Sequence, residues 1–400
     1  MTLQIGIAGA GIGGLSAAAL LAADGHRVTL FDQFARPAPV GSGLVVQPVG
    51  MAVLDAMGAG RMTRDLGQRL DRMAGDEATS GRRVLDVRYG RTPERQGLGI
   101  HRAALFHAIH RAAIRAGVEI TPEHRATGRD GRYLHFGARR EGPFDLIVDA
   151  CGAGSPLSPL TARALPYGAV WATVPWPEDS RLPKDHLSQR YRRADRMLGV
   201  LPVGSMPSNP GQPLAAIFYS LPVAHHPVWL DQDFEDWRRA ATDLWPAFGP
   251  YLGWIEDHAA FTFASYSHGT LSRPWDSGIA HIGDAAHRAS PQLGQGANMA
   301  LLDARALQLA LRQARGDEAL RLYAGARRWH VRAYQTMSAA FTPQYQSDSR
   351  VLPVLRDRVL APMAGMWPIT RVLTRLVCGD LVPPMPALTP RRGKACVRAR

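Results

Sequence analysis

The sequence predicts an α/β protein with a parallel-sheet domain at its start, an inserted mixed-sheet lobe and a C-terminal helical region. Three observations carry this. A glycine pattern, Gly9-Ala10-Gly11-Ile12-Gly13-Gly14, sits between an apolar run of strand length and a helix-forming run. A second strand, glycine-rich loop and helix follow one another near residue 283. Between them lie short apolar runs bounded by turn residues. Strands alternating with helices point to a parallel sheet covered on its faces.

Composition bounds the reading. At 400 residues and 46% hydrophobic, the chain is too long for one compact core, so two lobes are expected. Charged residues make up 20% with no long single-sign block, which argues against disorder. Cys151, Cys378 and Cys396 are far apart, so a disulfide framework or a zinc site is not expected, and a reducing cytoplasm fits. His225-His226, His281 and His287 have no third ligand at metal spacing, so no metal is expected. The net charge of +13 is almost all arginine, since lysine occurs only at Lys184 and Lys394. An arginine-biased surface explains this, as would an anionic cofactor, an anionic substrate or a membrane surface. Nucleic acid is not expected, because no aromatic-basic module is present. The apolar start lacks a preceding basic residue and reads as strand, turn and helix, not as a signal peptide. No other run is long enough to span a membrane.

Leu3 to Ala8 reads as a buried strand, Leu15 to Ala23 as a helix ended by Asp24-Gly25, and Arg27 to Phe31 as a second strand. Asp32 follows, 23 positions after Gly9. This is a Rossmann-like βαβ start. Gly9 permits the tight turn, Gly11 lets a pyrophosphate approach the backbone, and Gly14 lets helix and strand pack closely, with Gly13 in the same loop. The helix start offers free N–H groups and a positive dipole end to phosphates. Asp32 can accept hydrogen bonds from a ribose. These features do not separate NAD from FAD.

Leu105, Ala108, Ile109 and Ala112 give the next helix one core face. Phe144 to Asp149 reads as a strand, leading into Ala150-Cys151-Gly152-Ala153-Gly154-Ser155. Ala169 to Val174, Leu187 to Arg192, Met197 to Val203 and Leu214 to Leu221 are strand candidates of a sheet that caps the ligand. Asp231 to Leu244 reads as one helix, with Phe234, Trp237 and Leu244 on one side. Gly278 to Ile282 is a further strand. It runs into Gly283-Asp284-Ala285-Ala286-His287, then Ser290-Pro291-Gln292-Leu293-Gly294-Gln295-Gly296-Ala297-Asn298 and a long helix. Asp284 can accept from the ribityl hydroxyls of a flavin. Gly294 and Gly296 let the backbone lie against a flat ring. The helix starting near Ala297 would aim N–H groups at the ring, stabilising the negative charge of its reduced form.

The stretch GDAAHRASPQLGQGANMALLDA resembles the GD motif of the single-component, class A FAD monooxygenases of the p-hydroxybenzoate hydroxylase fold, a group that includes salicylate and ubiquinone-biosynthesis hydroxylases. The resemblance spans most of residues 3–345 and is weak from about 166 to 275. It implies non-covalent FAD held at Asp284 and along Gly294 to Asn298. Arg36, before Gly41-Ser42-Gly43, resembles the loop leading to the flavin, and Arg102 matches an arginine that contacts FAD. The backbone near Pro291 would lie close to the reacting oxygen. Cys151-Gly152 departs from the family's Asp-Gly, an aspartate linked to handling of FAD and the nicotinamide donor. FAD binding survives this change, while the reductant is left open.

The implied reaction is oxygenation of a small aromatic molecule by O2 through a flavin C4a-hydroperoxide, with NADH or NADPH as transient donor. The implied layout is an FAD-binding domain from residues 1–70, 98–165 and 278–345, a substrate lobe from 71–97 and 166–277, and C-terminal helices with a basic tail over 346–400. Another flavin chemistry on this fold, such as reduction, desaturation or epoxidation, is the enzyme alternative. Halogenation is disfavoured because the family members that do it need an active-site lysine. A flavin-binding sensor is the non-enzyme alternative. From Gln346 on, prolines at 353, 362 and 368 break the chain into short helices interspersed with arginines. These read as a lid, or as a basic surface touching the inner membrane face from the cytoplasm.

Overall fold

The computed structural model describes residues 2–35, 42–386 and 388. Arg36 and Gly41 lie outside the described residues. A six-stranded sheet runs in the order Trp275–Asp276, Ile279–His281, Leu146–Asp149, Gln4–Ala8, Arg27–Phe31, Glu119–Thr121. Every pairing is parallel except that of Trp275–Asp276 with Ile279–His281. The first strand sits mid-sheet and buries four of its five residues, which is why it reads as an apolar run without alternation. Helices Ile12–Ala23, Arg102–Arg115 and Gly296–Gln313 pack together over this sheet around a shared apolar core.

The second layer is an eight-stranded sheet. Its order is His287–Arg288, Thr262–Thr270, Arg163–Pro175, Asn209–Pro222, Arg196–Met206, His186–Arg192, Arg72–Glu77, Arg83–Arg88. One face carries Val170, Leu198 and Ile217 and packs on Trp229, Trp237 and Trp245. The other carries Leu201, Val203 and Phe218 and meets Val45 and Tyr345. A three-stranded sheet of Gly43–Val46, Gly97–His101 and Gln68–Leu70 joins the two layers. Glycine makes that junction possible: a Cβ on Gly99 would stand 2.0 Å from the Pro202 carbonyl oxygen.

Two expectations change. The helix expected over Asp231 to Leu244 is two helices, His226–Asp231 and Phe234–Leu244. Asp233 separates them because its carboxylate accepts the Asp236 N–H at 2.9 Å as an N-cap. Pro353 and Pro362 do not break the chain. Pro353 sits in the first turn, where no N–H is required, and a π turn at Arg356–Leu360 directly before the Pro362 segment carries the rod on to Ala364, whereas a new helix starts only after Pro368. No described helix is long and apolar enough to cross a membrane.

Candidate cofactor site

Register brings the distant segments together. Ala8 pairs with Asp149, and Asp149 with His281, so three parallel strands end in one row. The loops after them, starting at Gly9, Ala150 and Ile282, therefore converge, with turn Gly152–Gly154 against turn Gly283–Ala285. This is where an open parallel sheet holds a ligand.

The glycines of the first loop divide the work. Gly9 has φ +100°, and a Cβ there would meet the Ala150 carbonyl oxygen at 2.4 Å. A Cβ on Gly14 would stand 1.8 Å from the Gly9 carbonyl oxygen, so only glycine lets the helix close on the strand. On Gly13 it would touch Ala300 at 3.4 Å, where two helices cross. On Gly11 it would meet nothing within 4 Å. Gly11 lines a cleft of about 460 Å³ with Gly9, Asp32, Arg102, Cys151 and Gly152. An open face over a bare backbone beside a helix start is a cradle that suits a diphosphate.

Asp32 is buried and borders this cleft. It accepts the Ala10 N–H at 2.8 Å and the Phe34 N–H at 3.0 Å, so it also shapes the loop it was expected to serve. Arg102 follows His101, whose Nδ1 accepts the Ala103 N–H at 3.1 Å and caps the helix. The Arg102 side chain lines the cleft. Withdrawal from bulk water lowers its pKa, and the Asp284 carboxylate opposes that shift. Arg102 and Asp284, far apart in sequence, thus interact electrostatically. Asp284 is exposed on its turn, and its carboxylate accepts no hydrogen bond from a described residue.

The turn is fixed from behind. Asp303, fully buried, accepts the Gly283 N–H at 2.9 Å, pairs with His287 at 2.7 Å and binds Arg327 at 2.8 Å. Burial pushes the Asp303 carboxyl up, but His287 and Arg327 outweigh it and hold the pKa at about 2.

Along the expected ring segment, the Pro291 carbonyl accepts the Gly294 N–H at 2.8 Å, and Gly294 has φ +59°. The helix begins at Gly296, so the N–H groups of Gly296, Ala297 and Asn298 lack intrahelical acceptors. Gly296 and Ala297 are not buried. Asn298 differs from the expectation in how it serves. It is fully buried; its Oδ1 accepts the Gln47 N–H at 2.8 Å, and its Nδ2 donates to Val45 and Gly294 carbonyls at 3.1 and 3.0 Å. The side chain is committed to tying two loops together, which leaves only its backbone for a ligand.

Two residues escaped the sequence reading. Gln47 is fully buried, and its Oε1 accepts the Tyr89 O–H at 2.7 Å. Its Nε2 has no partner and stands 3.4 Å from where a Gly294 Cβ would be. An orphaned donor beside the expected ring segment fits the carbonyl-rich edge of a flavin. A lone glutamine in an apolar stretch carries no pattern that would have marked it. Asp149, also buried, accepts from Ser155 Oγ at 2.8 Å, from the Cys151 N–H at 3.1 Å and pairs with His281 Nδ1 at 2.7 Å. It read as a strand end because His281 is brought to it only by the sheet. Burial, and then Asp149, push the Cys151 thiol well above its usual range, so it stays protonated. Among the described residues no three His, Cys, Asp or Glu side chains are grouped to hold a metal.

Residues 7–44 match an NAD(P)-binding Rossmann-like domain, and residues 231–338 an FAD binding domain. An FAD-dependent urate hydroxylase of Klebsiella pneumoniae subsp. pneumoniae is 26% identical, over 82% of this chain and 86% of its own. A 3-hydroxybenzoate 6-hydroxylase of Aquipseudomonas alcaligenes is 26% identical, over 86% and 88%. Among solved structures, the tetrameric form of 2-methyl-3-hydroxypyridine-5-carboxylic acid oxygenase superposes with a TM-score of 0.78 at 20% identity, covering 94% of this chain and 96% of that one.

Proposed function

This chain belongs to the class A FAD-dependent monooxygenases, and from that premise we propose that it inserts one oxygen atom of O2 into a small aromatic molecule with NADH or NADPH as donor. The observation that carries the reading is that Gly11 and Arg102, distant in sequence, line one cleft, that the Asp284 carboxylate acts on Arg102, and that Gln47 holds an unpartnered buried donor beside Gly294.

In this reading the loop Gly9 to Gly14, the first helix start and Arg102 hold the diphosphate, and Asp32 holds the adenosine ribose. Asp284 takes the ribityl hydroxyls. Gly294, Gly296, Ala297 and the Asn298 backbone lie along the ring, and Gln47 donates to its edge. Arg36 belongs to the same assignment. Bound FAD supplies the electron transfer and oxygen activation. The protein's part is to position and to exclude water. Val45, Leu201, Phe218 and Tyr345 make an apolar wall between the sheets, and residues 71–97 and 166–277 form the substrate lobe. One oxygen atom enters a ring C–H bond and the other leaves as water, with the donor hydride and a proton balancing the reaction. The free thiols of Cys151 and Cys378 suit a cytoplasmic site. The reading includes peripheral contact with the inner membrane face through the C-terminal helices.

The test is donor oxidation by FAD-loaded protein screened against phenols, hydroxybenzoates and N-heteroaromatics under 18O2. The expected result is substrate-stimulated donor oxidation and a product 2 mass units heavier than with 16O2, the ~2 being the isotope difference per atom inserted. Substrate turnover that continues without O2 defeats the oxygenase reading and favours a reductase.

A further inference from the structure

The helical rod after Val351 is turned inside out. Its inward side carries Arg356, which is 1% exposed and lies between the rings of Tyr191 and Tyr345 at 5.1 and 5.0 Å. Arg356 also donates to the Gln344 carbonyl at 2.8 Å and pairs with Asp357 at 2.6 Å. Its outward side presents Val351, Val354, Leu355, Val359, Met363 and Met366, with Trp367 and Val372 beyond. The first six follow one another along the rod and the turn after it. A helix facing only water has the reverse arrangement.

This is no scatter of single apolar residues. Of fifteen large hydrophobic side chains exposed among the described residues, nine fall between Val351 and Val372, and Trp367 is 78% exposed. Arg350, Arg358 and Arg371 stand exposed in the same stretch, and their side chains form no ion pair or hydrogen bond among the described residues. The nearby acids are engaged: Asp348 accepts the Tyr167 O–H, Asp357 takes Arg356 and Asp380 takes Arg95. The face is therefore apolar with uncompensated cations. A second copy docked symmetrically on it would set arginine against arginine. An anionic bilayer satisfies both features: apolar side chains enter the acyl boundary, arginines meet phosphate headgroups, and an indole suits the interface between them. The sequence continues into Arg391, Arg392, Lys394, Arg398 and Arg400, which add charge of the same sign.

We propose that residues 350–375 are the docking face of this chain for an anionic lipid bilayer. This deepens the membrane part of the proposed function, and its test requires no turnover, so it can fail while the oxygenase reading stands.

The full FAD-loaded protein is floated with vesicles of phosphatidylcholine alone or with about one third phosphatidylglycerol. Each arginine near the surface weighs several-fold in partitioning, so R350Q/R358Q/R371Q should bind anionic vesicles on the order of a hundredfold more weakly. Met366→Ser with Trp367→Ser should also release the protein, whereas Trp367→Phe should keep it bound. Brominated lipids should quench wild-type fluorescence more than that of Trp367→Phe. Each variant is compared at unchanged melting temperature and flavin absorbance; should the serine pair misfold, the arginine triple variant and the quenching comparison decide. No flotation, equal binding to both vesicle types, or a concentration-dependent dimer lost in Trp367→Ser would each overturn the proposal.

Discussion

Gly11 and Gly14 are one residue type three positions apart, and they serve different ends. Gly14 has a carbonyl oxygen 1.8 Å from any Cβ, and Gly11 has open space. Gly14→Ala should therefore cost about 3 kcal/mol or more in urea unfolding, because backbone must move. Gly11→Ala should fold within about 0.5 kcal/mol of wild type yet bind FAD at least about tenfold more weakly, as a flavin titration would show. The close packing at Gly14 was legible, since its spacing between strand and helix encodes it. Asp149 and Gln47 were not, because their partners His281, Tyr89 and Asn298 arrive from elsewhere in the chain. At Cys151 the family's aspartate is missing, but Asp149 already places a carboxylate next to that loop. Cys151→Asp should then destabilise the protein by about 1–3 kcal/mol at pH 7 through like-charge repulsion. The loss should shrink near pH 4 as one carboxyl takes up a proton; an undiminished loss there points to sterics instead.

At the scale of elements, Asp303 and Arg327 lock helix Gly296–Gln313 to helix Gly316–Tyr345 and both to the turn at Gly283. Asp303→Asn should cost about 3–5 kcal/mol, because Arg327 is left buried without its counter-charge. His330 lies in the same network, where burial, and then Arg327, depress its pKa to about 3. Both shifts are downward, so the unfolded chain binds more protons as the solution acidifies. Stability should fall from about pH 6.5 as His330 is challenged, and more steeply between about pH 4 and 2 as Asp303 is. Chemical denaturation across that range should show a shallower loss above pH 4 in His330→Gln than in wild type. The strands at 169–174, 187–192, 197–203 and 214–221 were legible from apolar runs, and each lies within an observed strand. The split at Asp233 was missed because an N-cap is a local competition between side chain and backbone, hidden inside an apolar periodicity that continues across it.

For the whole molecule, one ligand would join loops that lie almost three hundred residues apart, so its binding should report on the entire fold. FAD at about a hundred times its Kd should add about 2.7 kcal/mol to unfolding free energy. Asp284→Ala should leave the apo protein nearly unchanged, since that exposed carboxylate makes no hydrogen bond or ion pair with a described residue, and should abolish most of the FAD-induced rise in melting temperature. The sequence by itself determined the strand, glycine loop and helix at the start, the strand–turn–helix at residue 283 and the strands of the second sheet. Those features depend on local spacing, glycine conformation and apolar periodicity, which are written within a few residues of one another. Only the tertiary structure decided that Asp149 pairs with His281, that Asn298 is spent on tying loops, that Gln47 keeps a free donor, and that the C-terminal rod shows its apolar side. Such facts depend on which surfaces meet. Sheet register and packing set that, and no single stretch of chain contains it.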